Sequence, residues 1–231
     1  MNKDLELENY LSISPHKFGI YLFDKKNLKN LYKEELVINE KSLNLSDLKK
    51  FIDNNIFKIE KLSGKFVENI FLIFEDKKIL NLEMGIKKKN YSSSITKEYL
   101  ENSLVEAKDL FRKNYPNQEI MHMIIKKYFV NDKTYLYFKE NLNSDKLALE
   151  IQFISISNSI VYDLNKILEN YQIKIIKYLD GSYVKNFINT DIELSEKSHK
   201  ILNGHNQNEV LFVPKNSKKL AFFEKFFQLF S

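Results

Sequence analysis

Apolar and polar residues alternate over the first part of the chain in the way that is typical of β-strands. Residues 10–24 alternate on both sides of the Pro15-His16 pair, which predicts two strands joined by a turn. A third strand is predicted at residues 32–38. Helical spacing follows, with Ser46 expected as the N-cap and Gly64 as the residue that ends the helix. The apolar face of this helix consists of Leu48, Phe51, Ile52, Ile56, Ile59 and Leu62.

A strand rich in valine, isoleucine and phenylalanine is predicted after this helix, at residues 66–74. We expect it to pair with a second strand at residues 81–87. The polar stretch 88–94 lies between two periodic segments and is therefore the best internal boundary in the chain.

The order of elements after this boundary predicts an α+β module with helices on a mostly antiparallel sheet. Thr96 is expected to cap a helix that ends before Tyr115, and a second helix is expected to begin at Asn158 or Ser159. The predicted strands of the module are residues 119–130, 133–138, 146–156 and 173–179. The core expected for residues 96–189 consists of Leu100, Leu104, Phe111, Ile124, Leu149, Ile151, Phe153, Leu164, Leu168 and Ile175.

The end of the chain has an amphipathic pattern. A helix is predicted at residues 194–203, stopped by Gly204, followed by a short strand at 210–213 and a break at Pro214. Residues 218–231 then read KKLAFFEKFFQLFS, in which the apolar residues cover about half of a helix circumference. Such a segment is typical of a helix that lies in a lipid interface. The predicted membrane-binding residues are Lys218, Lys219, Leu220, Phe222, Phe223, Lys225, Phe226, Phe227, Leu229 and Phe230.

The same apolar stripe also fits a helix that docks on the protein's own core or in the groove of a partner protein. Its terminal position, its place after Pro214 and its phenylalanine content favour lipid.

The amino-acid composition excludes several kinds of site and partner. The chain has 231 residues and no cysteine, which excludes a disulfide framework and cysteine-ligated metal sites. The net charge is +5, but Arg112 is the only arginine, whereas proteins that read a nucleic-acid sequence rely on arginine. We therefore expect no nucleic-acid partner. The longest uncharged run, residues 151–162, is too short to span a membrane, and the acidic N-terminus does not resemble a signal peptide, so we expect a cytoplasmic location.

No motif for catalysis or for a cofactor is present. The five glycines are too far apart for a phosphate-binding loop. The spacing of six between His199 and His205 does not place two imidazoles on one helix face, which disfavours a metal site. His122 is interpreted as a strand histidine satisfied by a local hydrogen bond, and Ser182 lacks the frame of a nucleophile elbow. We expect no enzymatic activity, no catalytic residues, no metal and no cofactor.

Several segments resemble FtsA, the bacterial actin-like protein that tethers the division ring to the membrane. Residues 46–74 resemble the helix, turn and strand of its first actin-like subdomain. Residues 95–111, 119–132 and 149–182 resemble the FtsA-specific strand-helix-strand-strand module. The resemblance covers residues 11–189 and implies a partial actin-like subdomain followed by that module, with a C-terminal amphipathic helix.

Two departures from the family pattern affect function. The phosphate loop of FtsA has the form Asp-Ile-Gly-Thr, and the aligned residues are Ser12-Ile13-Ser14-Pro15, which lack the carboxylate and the glycine. Only 42 residues follow Asn189, too few for the two subdomains that complete an actin-like ATPase. A natural short form and a gene fragment both fit this length.

The resemblance therefore implies a non-enzymatic cell-division scaffold on the inner face of the cytoplasmic membrane, at the division site. The expected partners are division-ring proteins, FtsZ-like or later ones, a second copy of the chain and an anionic membrane surface. The expected division is an actin-like part at 8–94, the module at 95–190, a linker at 191–217 and the membrane-targeting helix at 218–231. The alternatives are a pilus-assembly scaffold of the same superfamily, or half of an actin-like ATPase that another chain completes.

Overall fold

The computed structural model describes residues 6–38, 43–89, 94–131, 133–139 and 142–211, which form a mixed α/β structure with two sheets and five helices. The strands are β1 (Leu7–Ser14), β2 (Lys17–Asp24), β3 (Lys29–Val37), β4 (Asn69–Phe74), β5 (Leu80–Lys89), β6 (Gln118–Val130), β7 (Lys133–Tyr135), β8 (Lys146–Ser157) and β9 (Lys174–Asp180). The helices are α1 (Leu45–Ser63), α2 (Lys97–Asn114), α3 (Asn158–Glu169), α4 (Gly181–Phe187) and α5 (Leu194–Leu202).

The described residues pack as two units, each made of two stretches of chain. The first unit contains the residues up to Ile79 and Ser159–His205, and the second contains Leu80–Asn158 and the residues from Asn206 onward. This differs from the expected boundaries at residues 94 and 190. Strand β5 belongs to the second unit and α3 and β9 belong to the first, so the second unit interrupts the first in sequence.

The sheet of the first unit has the strand order β3-β2-β1-β4-β9. The predicted turn at Pro15-His16 joins β1 and β2 as an antiparallel hairpin, and β3 continues this pairing. Strands β1 and β4 are parallel, as are β4 and β9. Parallel neighbours need long connections. Here β2, β3 and α1 lie between β1 and β4, and Leu80–Asn158 of the second unit plus α3 lie between β4 and β9.

Helices cover both faces of this sheet. On one face Phe18 of β2 packs against Phe51 of α1, with their ring centroids 5.9 Å apart. On the other face α4 and α5 contribute to a core with alternate residues of the strands. The buried members of that core are Tyr10, Tyr21, Phe23, Ile73, Leu179, Val184, Ile188 and Ile201.

The ends of the helices follow local sequence signals. The N-cap of α1 is Asn44, not Ser46 as expected, because the Asn44 side chain accepts hydrogen bonds from the backbone N–H groups of Ser46 and Asp47. Gly64 ends α1 in the left-handed conformation, with φ of 70°, as predicted. Thr96 caps α2 by accepting a bond from the Tyr99 backbone N–H, which also confirms the prediction.

The second unit is built on an antiparallel sheet with the order β5-β8-β6-β7. The predicted pairing of the 81–87 strand with the 66–74 strand is wrong, since β5 pairs with β8 from Leu80↔Ser155 to Lys89↔Lys146. Strand β7 is shorter than predicted and ends at Tyr135. Helix α2 packs its apolar face on this sheet.

The core of the second unit contains only part of the expected ten residues. Its buried members are Ile95, Leu100, Leu104, Ala107, Phe111, Met123, Ile125, Tyr128, Val130, Phe138, Leu147, Leu149, Ile151, Phe153 and Val210. Leu164 and Leu168 are buried on α3, and Ile175 is half-buried on β9, but all three belong to the first unit. The periodicity of the sequence predicts that these residues face a core, but it does not show whether that core belongs to the first or the second unit. Among the described helices none is long and apolar enough to cross a membrane.

Candidate functional site

The predicted membrane-binding residues, Lys218 to Phe230, lie outside the described part of the chain, which ends at Leu211. Residues 212–213 of the predicted strand at 210–213 also lie outside it. The structure does describe the segment that leads into them, Asn206–Val210, which we call the exit segment.

The exit segment is fastened to the edge of β6. The backbone N–H of Ile125 donates to the Asn208 carbonyl oxygen at 2.9 Å, and the N–H of Val210 donates to the Met123 carbonyl oxygen at 2.8 Å. Val210 is 5% exposed and belongs to the core of the second unit. The chain therefore enters its Phe-rich end from a fixed point on β6.

A buried histidine and glutamate join the same two elements. The Nδ1 atom of His122, on β6, lies 2.7 Å from Oε1 of Glu209, and both side chains are almost completely inaccessible to solvent. Removing one member of such a pair takes a hydrogen bond from a buried polar group, at a cost of about 1–3 kcal/mol. His122 is a strand histidine as predicted, and this contact joins it to a residue 87 positions away.

A bend with two exposed apolar side chains lies next to the exit segment. It follows β7, and its side chains Leu136 and Tyr137 are 61% and 53% exposed. The Asn208 side chain donates a hydrogen bond of 2.9 Å to the Leu136 carbonyl oxygen. Tyr137 was expected within a strand, whereas the shorter β7 leaves it on the surface.

The other histidine noted in the sequence is also held by a carboxylate. The Nδ1 atom of His199, on α5, lies 2.8 Å from Oε2 of Glu8, on β1, and its ring packs against Phe23. No group of three or more metal-ligating side chains occurs among the described residues. These contacts account for His199 as part of the packing of α5 on the sheet.

The turn that aligns with the FtsA phosphate loop is closed by its own hydrogen bonds. The Ser14 hydroxyl accepts a bond from the Lys17 backbone N–H and donates one to the Lys17 carbonyl oxygen, both at 3.0 Å. The backbone N–H of Glu75, after β4, donates to the Ile13 carbonyl oxygen at 2.9 Å. The polar groups of this turn thus bond to the protein itself.

Tyr21 fills the sheet surface beside this turn. Gly19 lies opposite Ser12 in the hairpin, and a Cβ atom placed on Gly19 would come within 2.5 Å of the Tyr21 hydroxyl oxygen. The Tyr21 hydroxyl donates a 2.7 Å bond to Glu35, and burial raises the pKa of Tyr21 well above its ordinary value. A side chain at position 19 would collide with the Tyr21 phenol, which covers the backbone there. The absence of a Cβ atom on Gly19 therefore makes room for Tyr21.

Charges beside Tyr21 form a small network. Glu35 contacts Lys17 at 3.1 Å and Lys33 at 4.0 Å, and Lys33 contacts Glu193 at 2.7 Å. Partial burial raises the pKa of Glu35, but the bonds from Tyr21 and Lys17 outweigh it and hold that pKa below its ordinary value. The sequence alone did not reveal this network, because its members come from three separate elements.

The carboxyl ends of β4 and β9 carry a second group of polar residues. Asp180 caps α4 by accepting a 2.6 Å bond from the Tyr183 backbone N–H. Glu75 forms an ion pair with Lys185 of α4. Gly181 packs against Glu75, since a Cβ atom there would lie 3.1 Å from the Glu75 Cβ. These groups stabilise the packing of α4.

No protein-family model and no curated protein matches the sequence. Several solved structures are similar to it. One is a PilM-PilN type IV pilus biogenesis complex, with 6% identity over 78% of this chain and a TM-score of 0.48. Another is the cytoplasmic domain of EpsL, an inner membrane component of the type II secretion system of Vibrio cholerae, with 6% identity over 78% of this chain and a TM-score of 0.36.

A third is a Bacteroides thetaiotaomicron protein with an actin-like ATPase fold and unknown function, with 13% identity over 79% of this chain and a TM-score of 0.33. The matches span 49%, 57% and 55% of these three chains, so the sequence covers about half the length of each.

Proposed function

We propose that this protein is a non-enzymatic scaffold that ties a protein assembly to the inner face of the cytoplasmic membrane. The observation that carries the proposal is the exit segment, which is bonded to β6 and is separated by only seven residues from an amphipathic sequence of lysine and phenylalanine. A fixed departure point lets a lipid-bound segment hold a folded body at the membrane. Division-ring proteins are the proposed assembly, because the FtsA resemblance covers most of the chain.

The absence of ATPase activity is part of this proposal. The Tyr21 ring covers the Gly19 backbone, and the Ser14 hydroxyl bonds to Lys17 in the turn where the family binds phosphate. Glu35 and Glu193 are paired with Lys17 and Lys33, so this network adds no net positive charge beside the turn. The turn also lacks the carboxylate and the glycine of the FtsA phosphate loop, which argues against a bound phosphate.

Flotation with vesicles tests the lipid contact. The full chain is mixed with vesicles of phosphatidylcholine and phosphatidylglycerol, and we expect it to float with them. Phe226→Glu with Phe227→Glu, or deletion of residues 218–231, should abolish flotation without unfolding the body. The matched control is Phe57→Glu with Phe66→Glu, two exposed phenylalanines of the first unit, which should float like the unchanged protein. A full chain that does not float contradicts the proposal.

The dependence of binding on salt distinguishes the electrostatic part of the lipid interaction from the apolar part. Each lysine near an anionic surface contributes about 1 kcal/mol, whereas a large apolar side chain contributes up to about 1.5–3 kcal/mol. Binding should therefore weaken with added salt and persist. Complete loss at physiological salt would mean that the phenylalanine face does not enter the lipid.

Thermal unfolding with and without Mg-ATP tests the non-enzymatic assignment. A ligand at 100 times its dissociation constant stabilises a protein by about 2.7 kcal/mol. We expect no change in melting temperature. A clear rise would favour the alternative of an actin-like ATPase that another chain completes.

Co-purification of the tagged protein from its own cells identifies the assembly. Division-ring proteins are the expected companions. Recovery of pilus-assembly proteins in their place would support the alternative of a pilus-assembly scaffold and contradict the division role.

A further inference from the structure

The bend after β7 is anchored by one buried side chain and exposes the two side chains that precede it. Phe138 is buried in the core of the second unit, which fixes the bend to the sheet. The two preceding side chains, Leu136 and Tyr137, are more than half exposed. Single exposed apolar residues are common on protein surfaces, but this pair is distinguished by its position.

The pair lies beside the point where the chain leads into its Phe-rich end. The hydrogen bond from Asn208 to the Leu136 carbonyl oxygen joins the bend to the exit segment. The backbone bonds to Met123 and Ile125 and the buried His122–Glu209 pair hold the same segment on β6. The bend and residues 206–210 of the exit segment are therefore fixed relative to each other.

The connection between them is short. Seven residues lead from Leu211 to Lys218, and a chain of that length spans about 25 Å when fully extended. A membrane that holds residue 218 therefore lies within about 25 Å of Leu211.

We infer that Leu136 and Tyr137 form a second lipid contact, which enters the membrane interface beside the Phe-rich segment. This inference rests on the proposed function, because it requires that segment to bind lipid. Leucine is apolar, and tyrosine combines an apolar ring with a polar hydroxyl that suits the interface. Once the segment is bound, the bend meets the lipid at a high effective concentration, so a weak contact suffices to orient the body.

The contact made by the bend is apolar. The two lysines that flank it, Lys133 and Lys139, are balanced in the sequence by Asp132 and Glu140. The bend therefore adds no net charge, and its contribution to binding should not change with salt. This distinguishes it from the lysines of residues 215–219.

A single tryptophan reports directly on the bend. Because the chain contains no tryptophan, Tyr137→Trp places the only indole of the full-length protein at this position. Addition of vesicles of phosphatidylcholine and phosphatidylglycerol should shift its emission to shorter wavelength, and brominated lipids should quench it. Tyr162→Trp, at a position of α3 that is 64% exposed, is the control and should show neither effect.

An affinity measurement provides the second test. Leu136→Ser with Tyr137→Ser should weaken vesicle binding of the full chain about tenfold, since partial insertion of two such side chains contributes well below their full transfer free energy. Val105→Ser with Leu110→Ser, which alters two half-exposed residues of α2 in the same unit, should leave affinity unchanged. The indole measurement still decides the question if the first double variant unfolds.

The outcomes separate this inference from the proposed function. If the full chain does not bind vesicles, the proposed function fails. If it binds but the indole at position 137 is neither shifted nor quenched, the second contact is overturned while the Phe-rich segment remains the tether. An emission shift that depends on protein concentration without lipid assigns the bend to a second copy of the chain and also overturns the inference.

Discussion

The two units bury their sheets in different ways. In the first unit, β2 is buried along almost its whole length because helices pack on both faces of the sheet. In the second unit, β5 alternates between half-buried and exposed residues from end to end. The sequences agree with this difference, since β2 reads KFGIYLFD, a nearly continuous apolar run, whereas β5 reads LNLEMGIKKK.

The turn near Tyr21 and the bend after β7 differ in the accessibility of their side chains. In the first unit Tyr21, with its hydrogen bond to Glu35, is buried beside the turn that aligns with the FtsA phosphate loop. In the second unit the bend next to the exit segment exposes Leu136 and Tyr137. Within the described residues the proposed interactions are therefore concentrated on the second unit.

The largest expected effect is a loss of stability that is confined to the second unit. Phe111 of α2 is fully buried and stacks on Phe153 of β8, with ring centroids 4.6 Å apart. Phe111→Ala should lower the free energy of unfolding by about 3–5 kcal/mol. Hydrogen exchange should accelerate for the amides of β6 and β8 more than for those of β1 and β4. Phe57→Ala, at an exposed helix position, is the control and should change stability by less than about 0.5 kcal/mol.

A double variant tests whether the two cores are independent. Leu164→Ala in the first unit and Leu104→Ala in the second should each cost about 2–5 kcal/mol, because both side chains are buried. Combined, the two changes should add within about 0.5 kcal/mol when measured by urea unfolding. A coupling free energy well above this value would indicate that Leu164 packs in the same core as Leu104, as the sequence pattern suggests.

A smaller loss of stability is expected when the hydrogen bond between Tyr21 and Glu35 in the first unit is removed. Tyr21→Phe removes the hydrogen bond to Glu35 and should cost about 1.5 kcal/mol at neutral pH. The lowered pKa of Glu35 means that its folded form binds fewer protons than the unfolded form, so this contribution is present above the ordinary glutamate pKa and is lost as the pH falls through the folded value. The difference in melting temperature between Tyr21→Phe and the unchanged protein should therefore shrink in acid. A difference that is independent of pH would assign the loss to packing.

The smallest effects are expected at exposed ion pairs, where the two units should not differ. Lys33→Ala in the first unit removes the contact with Glu193, and Lys127→Ala in the second removes the contact with Glu150. Each should cost less than about 1 kcal/mol, and less at high salt. A larger loss at Lys33 would indicate that the network around Glu35 acts as a unit.

Local patterns predicted the helices and strands, because periodicity and caps depend on neighbouring residues. The apolar face of α2, the stop at Gly64 and the cap at Thr96 all follow from such signals. On α1, Leu48, Phe51, Ile52 and Ile59 are buried as predicted, whereas Leu62, near the end of the helix, is 54% exposed. Helix α5 also begins at Leu194 as predicted. Helix α4 was not predicted, because its seven residues are too few to establish a helical period.

Contacts between distant residues could not be predicted in this way. Alternation marks β5 as a strand but does not identify β8 as its partner, so the unit boundary was placed after β5 and not before it. The His122–Glu209 pair joins residues 87 positions apart, and no local pattern links them. The Leu136–Tyr137 bend was hidden because these residues continue the apolar character of β7.

The register of β5 on β8 also affects the order in which the chain folds. Strands β4 and β9 must meet across about 100 residues of intervening chain, and closing a loop costs about 0.6 kcal/mol for each doubling of its length. The pairing of Leu80 with Ser155 shortens the loop that remains to roughly 25 residues, which lowers the closure cost by about 1 kcal/mol. The antiparallel β5–β8 pair is therefore expected to form before the parallel strands β4 and β9 of the first sheet join.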